Sequence, residues 1–389
     1  VLAALLPGCT SITRLDPPPA QAAEALPVLG IPNARFWLDA DPGPLLAEAR
    51  LAGERSAALV PRGTRPPPLR FLALSGGGDS GAFGAGLLIG WTEAGDRPSF
   101  DVVTGISAGA LIAPFAFLGP AYDAGLREVF TGVAPTDILL FRQVVLALLF
   151  NEALADTSPL YRLIERHADE RMLAAIAAEY RKGRLLFIGT TNLDLQRPVA
   201  WNIGAIAASG QPGALTLFRR ILLASASIPG AFPPVLVDVE LDGRVFQEMH
   251  VDGGVSTTVF LWPPSIGARD VARLRGSTAY VIRNGRMDVE RDVTTRGLFS
   301  IARRSAATLI HFSGVAAVYQ LYLTALRDEV RFRLAYVGPE FQAERREPFD
   351  TQFMRALFDH AHAQARAGYP WADRPPRTIT TETAAPRAR

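Results

Sequence analysis

Residues 102–109 read Val-Val-Thr-Gly-Ile-Ser-Ala-Gly, and their reading decides the fold. Val102-Val103, entered from Phe100-Asp101, is a short apolar strand. Gly105-Ile106-Ser107-Ala108-Gly109 is a G-x-S-x-G turn, and the residues after it are helical. No charged residue occurs from Val102 to Tyr122, so hydropathy alone would suggest a membrane span. Gly105, Gly109 and Pro114 argue otherwise, because they divide the stretch into strand, sharp turn and helix.

A second unit of the same kind lies just upstream. Phe71-Leu72-Ala73-Leu74 is apolar at every position, as a strand covered on both faces must be. Gly76-Gly77-Gly78-Asp79-Ser80-Gly81 follows, and a helix rich in small residues runs from Gly81 to Trp91. Two successive strand–glycine turn–helix units predict an α/β fold with a parallel sheet. Further strands are expected at Leu185–Thr190, with Val199–Ile203 pairing beside it, at Glu248–Asp252, at Ala279–Ile282 and at Phe332–Val337. Helices are expected at Leu217–Ala226, Leu298–Leu326 and Thr351–Ala367. Residues 138–150 are apolar but too short to span a bilayer; they suit a core helix or a flap over an acyl-binding groove.

With 389 residues, 49% of them hydrophobic and 20% charged, the composition is that of a globular chain. A net charge of +2 predicts no nucleic-acid partner. Of 40 basic residues only Lys182 is lysine, so an arginine cluster is not by itself a phosphate site. Five scattered histidines and one cysteine give no metal-ligand spacing, and neither a metal nor another cofactor is expected. That cysteine, Cys9, ends the run Leu2-Ala3-Ala4-Leu5-Leu6-Pro7-Gly8, which resembles the close of a bacterial lipoprotein signal peptide. On that reading Cys9 is lipidated, residues 1–9 are the signal remnant, and Thr10 favours the outer membrane, with the protein facing the periplasm. Residues 10–70 then form a linker and leader segment, weakly structured to about Asn33. Residues 71–264 are expected to form the core, residues 265–371 an α/β extension packed on it, and residues 372–389 a disordered tail.

Three elements carry chemistry. Ser107 stands at a strained turn and at a helix N-terminus, which suits a nucleophile. The loop Gly76-Gly77-Gly78 offers N–H groups free of side chains, as an oxyanion hole requires, with Gly81 opening the helix. Its spacing also matches a dinucleotide fingerprint, but the region where a ribose-binding acid would close the next strand leads into the serine turn instead; a plain tight turn is the third reading. Asp252 ends a strand at Gly253-Gly254, which would place a carboxylate at the ligand-binding edge of the sheet.

Together the glycine loop at 76–81, the serine turn at 105–109 and Asp252-Gly253-Gly254 resemble the patatin-like phospholipase family. Asp101, the stretch Ala224-Ser225-Ala226-Ser227-Ile228-Pro229 and Phe232-Pro233-Pro234 add to the likeness. The resemblance implies a three-layer α/β/α fold with a mostly parallel central sheet, and hydrolysis of lipid esters by a histidine-free dyad of Ser107 and Asp252. Where many members carry Arg or Lys in the loop, this chain has Asp79-Ser80, which bears on any preference for anionic head groups. An esterase or thioesterase with the same dyad, and a non-catalytic lipid-binding scaffold, remain alternatives. His250, two residues before Asp252 on the same strand, is the most tempting rival base.

Overall fold

The computed structural model describes residues 14–376 apart from 62, 65–66, 139, 142–154, 268, 272–273 and 290–292. Cys9, the residues after 376 and most of the apolar run 138–150 therefore lie outside the described residues. Nine strands form one sheet: β1 (Arg35–Trp37), β2 (Arg70–Leu74), β3 (Val102–Ile106), β4 (Leu185–Asn192), β5 (Arg197–Asn202), β6 (Val235–Leu241), β7 (Arg244–Asp252), β8 (Thr278–Arg286) and β9 (Arg331–Val337). The order is β1-β5-β4-β3-β2-β8-β9, with β7 and then β6 attached at the upper end of β4. The five central strands β4, β3, β2, β8 and β9 run parallel, and the others pair antiparallel.

Alternation along β2 shows why it is apolar throughout. Leu72 and Leu74 point into a large core shared with helices α1 (Gly81–Ala94), α2 (Ala108–Leu118), α3 (Ala214–Ala226) and α5 (Thr351–Arg366). Phe71 and Ala73 point the other way, into a second core with Val281, Val315, Val318 and Leu321, the last three from helix α4 (Leu298–Arg327). The fold is α/β with helices on both faces of a mostly parallel sheet.

The small residues of α1 have a packing reason. A Cβ on Gly86 would stand 2.2 Å from the Phe358 carbonyl oxygen, and one on Gly90 would stand 2.3 Å from that of His362. Helix α5 thus lies backbone-close on α1, and β8 sits directly beside β2. The C-terminal segment is built into the sheet rather than packed against it. The N-terminal leader also differs from a flexible tether. Ala23, Leu26, Val28 and Ile31 are buried, Arg14 pairs with Asp194, and β1 forms the sheet's edge. At the other end, Ala372 bridges Leu334, and Pro376 accepts a hydrogen bond from the Tyr319 hydroxyl, so residues 372–376 are tied down.

Candidate active site

Strand pairing brings Ser107 and Asp252 together. β3 pairs along one edge of β4 until Ile106 stands opposite Gly189. β7 comes down the same edge from the opposite direction and ends with Asp252 opposite Thr190, the next residue of β4. The two strands meet end to end, so the residue after β3 and the last residue of β7 are neighbours. Asp252 thus approaches against the direction of the parallel strands, not along it.

Ser107 has φ 55° and ψ −124°, a conformation rarely adopted by a residue with a side chain. Close backbone packing holds it there. A Cβ on Gly105 would stand 2.3 Å from the carbonyl oxygen of Gly109, and one on Gly109 would stand 2.3 Å from that of Leu74. Gly81 is crowded in the same way by Phe130 and Ala108, and Gly253 by Gly189. The Ser107 N–H donates to Ser225 Oγ at 3.0 Å, and that hydroxyl donates to the Gly189 carbonyl at 2.6 Å. The Asp252 N–H donates to the Ser227 carbonyl at 3.0 Å. The Ala-Ser-Ala-Ser run at the end of α3 therefore holds the backbone of both residues, a role its sequence did not disclose.

Asp252 is 5% exposed and accepts a hydrogen bond from the Gly254 N–H at 2.7 Å. Among the described residues no cation is bonded to it. Burial pushes its carboxyl up to about 6; hydrogen bonds from the Ser107 hydroxyl and Gly254 pull the other way and do not cancel this.

The glycine loop divides its duties. Gly76 donates its N–H to the Thr258 carbonyl at 3.0 Å, which removes it from the three oxyanion donors expected from sequence. What Gly76 provides is clearance, since a Cβ there would lie 3.1 Å from Ser107 Cβ. Gly77 and Gly78 donate to no backbone carbonyl among the described residues. Gly78, at φ 57°, lines the cleft beside Ser107.

Three residues beyond the expected core, Asn284, Arg345 and Phe349, shape this loop. Asn284, at the end of β8, is buried. Its N–H donates to Ser75 Oγ and its side-chain NH₂ to the Ser75 carbonyl, while its side-chain oxygen accepts from the Gly84 N–H, clamping the loop on both sides. Asp79 is buried and accepts hydrogen bonds from Arg345 Nη1 at 3.1 Å and from the Phe349 N–H at 3.2 Å. The C-terminal segment thus supplies a guanidinium to the loop. Phe349 and Met354 then join Gly78, Ser107, Leu111, Val129, Phe130, Leu160 and Leu163 around a small apolar cleft. A second apolar cavity is also lined by Leu111, Val129, Leu160 and Leu163, together with Phe115 and Met172.

The histidines are engaged elsewhere. His250 is fully buried. Its Nδ1 lies 3.0 Å from the Thr190 hydroxyl and its Nε2 lies 3.2 Å from Glu248. Trp201 Nε1–H donates to the same Thr190 oxygen, so the hydroxyl donates to Nδ1 and Nε2–H donates to Glu248. Burial lowers the His250 pKa, which favours the neutral ring. His360 and His362 face Glu340 and Glu93, and His167 packs on Phe115. Among the described residues no group of three or more His, Cys, Asp or Glu side chains is arranged to hold a metal.

Residues 72–263 match the family model for patatin-like phospholipases. No curated protein matches the chain. Among solved structures it is similar to VipD from Legionella pneumophila, at 12% identity and a TM-score of 0.36 over 78% of this chain and 67% of that one. It is also similar to human GIVD cytosolic phospholipase A2, at 12% identity and a TM-score of 0.32 over 84% of this chain and 56% of that one. The chain thus spans about two-thirds of the first protein and little more than half of the second. Over residues 72–263 this chain belongs to the patatin-like phospholipase family.

Proposed function

We propose that the protein is a serine acyl hydrolase that cleaves lipid ester bonds through a Ser107–Asp252 dyad and an acyl-enzyme. The observation that carries this reading is a buried carboxylate with no cation bonded to it among the described residues, pushed up to about 6, beside a hydroxyl held at a strained turn. A base that titrates just below neutral pH is ionised under working conditions, yet holds a proton far better than a solvated aspartate.

In this mechanism Asp252 takes the Ser107 proton as Oγ attacks the ester carbonyl carbon. The N–H groups of Gly77 and Gly78 receive the developing oxyanion, and the acyl chain lies along Leu111, Val129, Leu160 and Leu163. Collapse breaks the ester C–O bond, and the leaving alkoxide takes the proton from Asp252. Water then gives its proton to Asp252 and attacks the acyl-serine, releasing the fatty acid and restoring Ser107. The apolar lining of the cleft favours a fatty acyl group over a short soluble one.

The test is labelling with a fluorophosphonate probe, followed by a panel of phospholipids, lysophospholipids, thioesters and p-nitrophenyl esters. Adduct formation at Ser107, with long-chain esters hydrolysed faster than acetyl esters, is expected. An intact, folded protein that neither labels nor hydrolyses any member of the panel would leave only the scaffold reading. Lipidation of Cys9 and an outer-membrane location remain part of the proposal. Labelled palmitate should enter the full-length precursor in a Gram-negative host and should fail to enter a Cys9→Ser variant.

A further inference from the structure

Residues 338–350 run from the end of β9 to the start of α5 and meet the glycine loop on the way. Both ends of this segment are fixed. Arg286 donates to the carbonyls of Gly338 and Phe341 at one end. At the other, Asp350 caps α5 by accepting the N–H groups of Gln352 and Phe353 at 2.9 and 3.3 Å, and the Thr351 hydroxyl donates to the Val133 carbonyl. Between them residues 342–348 are exposed, and Phe349 turns inward to line the cleft that holds Ser107.

Phe349 has φ 60°, in the left-handed region that suits glycine and disfavours a bulky side chain. Among the described residues six non-glycine positions have a positive φ, and two of them, Ser107 and Phe349, line this one cleft. Such strain persists only where surrounding contacts impose it, and it gathers at working sites. The contact here is Asp79, which accepts the Phe349 N–H at 3.2 Å and Arg345 Nη1 at 3.1 Å, so the segment is pinned to the loop at two points. Asp79 directly follows Gly78, so Phe349 belongs to the glycine-loop end of the cleft, where the reacting carbonyl must lie. Helix packing accounts for part of this. An apolar residue just before a helix cap commonly packs on the fourth helical residue, here Met354, which lines the same cleft. That role calls for an apolar side chain, but not for an aromatic one at a left-handed φ.

We propose that Phe349 is a specificity-determining residue, an aromatic wall that admits acyl groups unbranched beside the carbonyl and rejects those carrying a substituent there. The inference rests on the acyl-hydrolase reading above. With the carbonyl oxygen held by the Gly77 and Gly78 N–H groups and the chain along Leu111 and Val129, the first carbons of the acyl group pass the Phe349 ring. A methyl branch on the carbon next to the carbonyl meets that ring, and a straight chain clears it. One or two carbon atoms fitted or refused by an apolar wall change kcat/KM by roughly 10–200-fold.

The experiment compares kcat/KM for p-nitrophenyl octanoate and p-nitrophenyl 2-methyloctanoate in wild type, Phe349→Gly and Phe349→Leu. Glycine removes the ring and suits the left-handed backbone, so that variant should melt within a few degrees of wild type. Its branched-to-straight ratio of kcat/KM should rise at least about tenfold. Phe349→Leu keeps an apolar contact for Met354 with a smaller wall, and should raise the ratio by less, roughly three- to fivefold. An unchanged ratio in the variants, in folded protein that still labels at Ser107 with a fluorophosphonate, would overturn the proposal. So would an equal loss on both esters, the result expected if Phe349 only packs the start of α5. A wild type that hydrolyses neither ester would overturn the hydrolase reading and this inference with it, whereas an active wild type with an unchanged ratio in both variants overturns this inference alone.

Discussion

Strand β7 carries two buried carboxylates four residues apart, and they have opposite environments. Burial alone would raise the Glu248 carboxyl, but hydrogen bonds from His250 and Arg35, with the charge of Arg35, outweigh it and bring it down to about 2. Asp252 meets no cation among the described residues, and burial pushes it up to about 6. Glu248 fastens the leader strand β1 to the sheet. Asp252 ends the strand where β3 stops, with Ser107 as its neighbour. A paired buried acid contributes stability, whereas an unpaired one costs stability and retains basicity.

The sharpest way to break this contrast is to make the same chemical change at both positions. Asp252→Asn should lower kcat/KM on any ester by about 10³–10⁴-fold, because the amide keeps the shape and cannot take the proton. It should also raise stability at pH 8, by an amount on the order of 2–3 kcal/mol, since a disfavoured buried charge is removed. Glu248→Gln should do the reverse. It leaves Arg35 buried without its counter-ion and should cost about 3–5 kcal/mol, while the folded fraction keeps activity within roughly tenfold of wild type. Urea melts and steady-state kinetics on the two proteins check both. A stabilised Glu248→Gln, or an active Asp252→Asn, would break the comparison.

Arg35→Met should cost a similar 3–5 kcal/mol by exposing the other half of the pair, and should leave the pH dependence of catalysis in place. The pH dependence of stability separates the two acids further. Asp252 titrates higher in the folded chain than in the unfolded one. Its protonated form therefore favours folding, a contribution complete below about pH 4 and lost as pH rises through 6. Glu248 titrates lower when folded; its ionised form favours folding above about pH 4.5, and that contribution is lost as pH falls toward 2. Loss of the first in Asp252→Asn and of the second in Glu248→Gln, read from melts across pH 3–8, would assign each. His250→Gln belongs with Glu248: it should lower the melting temperature by a few degrees and change kcat/KM by less than about tenfold.

What was legible in the sequence was local. The turn at Ser107 shows because Gly105 and Gly109 must be small for backbones to pass within van der Waals contact, and those residues lie within two positions of the serine. Asp252 shows because the chain turns at Gly253-Gly254 immediately after it. The antiparallel arrival of β7 did not show, because direction within a sheet depends on the partner strand and not on the strand's own residues. Nor did the occupation of Gly76 by Thr258, the clamp from Asn284, or the Arg345 guanidinium on Asp79. Each is a pairing across a long stretch of chain, between residues whose own neighbourhoods read as ordinary loop or strand. Asn284, Arg345 and Phe349 also lie beyond residues 72–263, so a site composed only of the family's motifs would lack its clamp and one wall of its cleft.

The central claim is that Asp252 is the base for Ser107, and it is tested most directly by the rate of fluorophosphonate labelling of Ser107 across pH 4–9. Labelling reads nucleophile activation without product release. The rate should rise with a single ionisation near pH 6, keep that profile in His250→Gln, and fall to a slow, pH-independent background in Asp252→Asn. A profile that survives Asp252→Asn unchanged, or that disappears in a folded His250→Gln, would contradict the account.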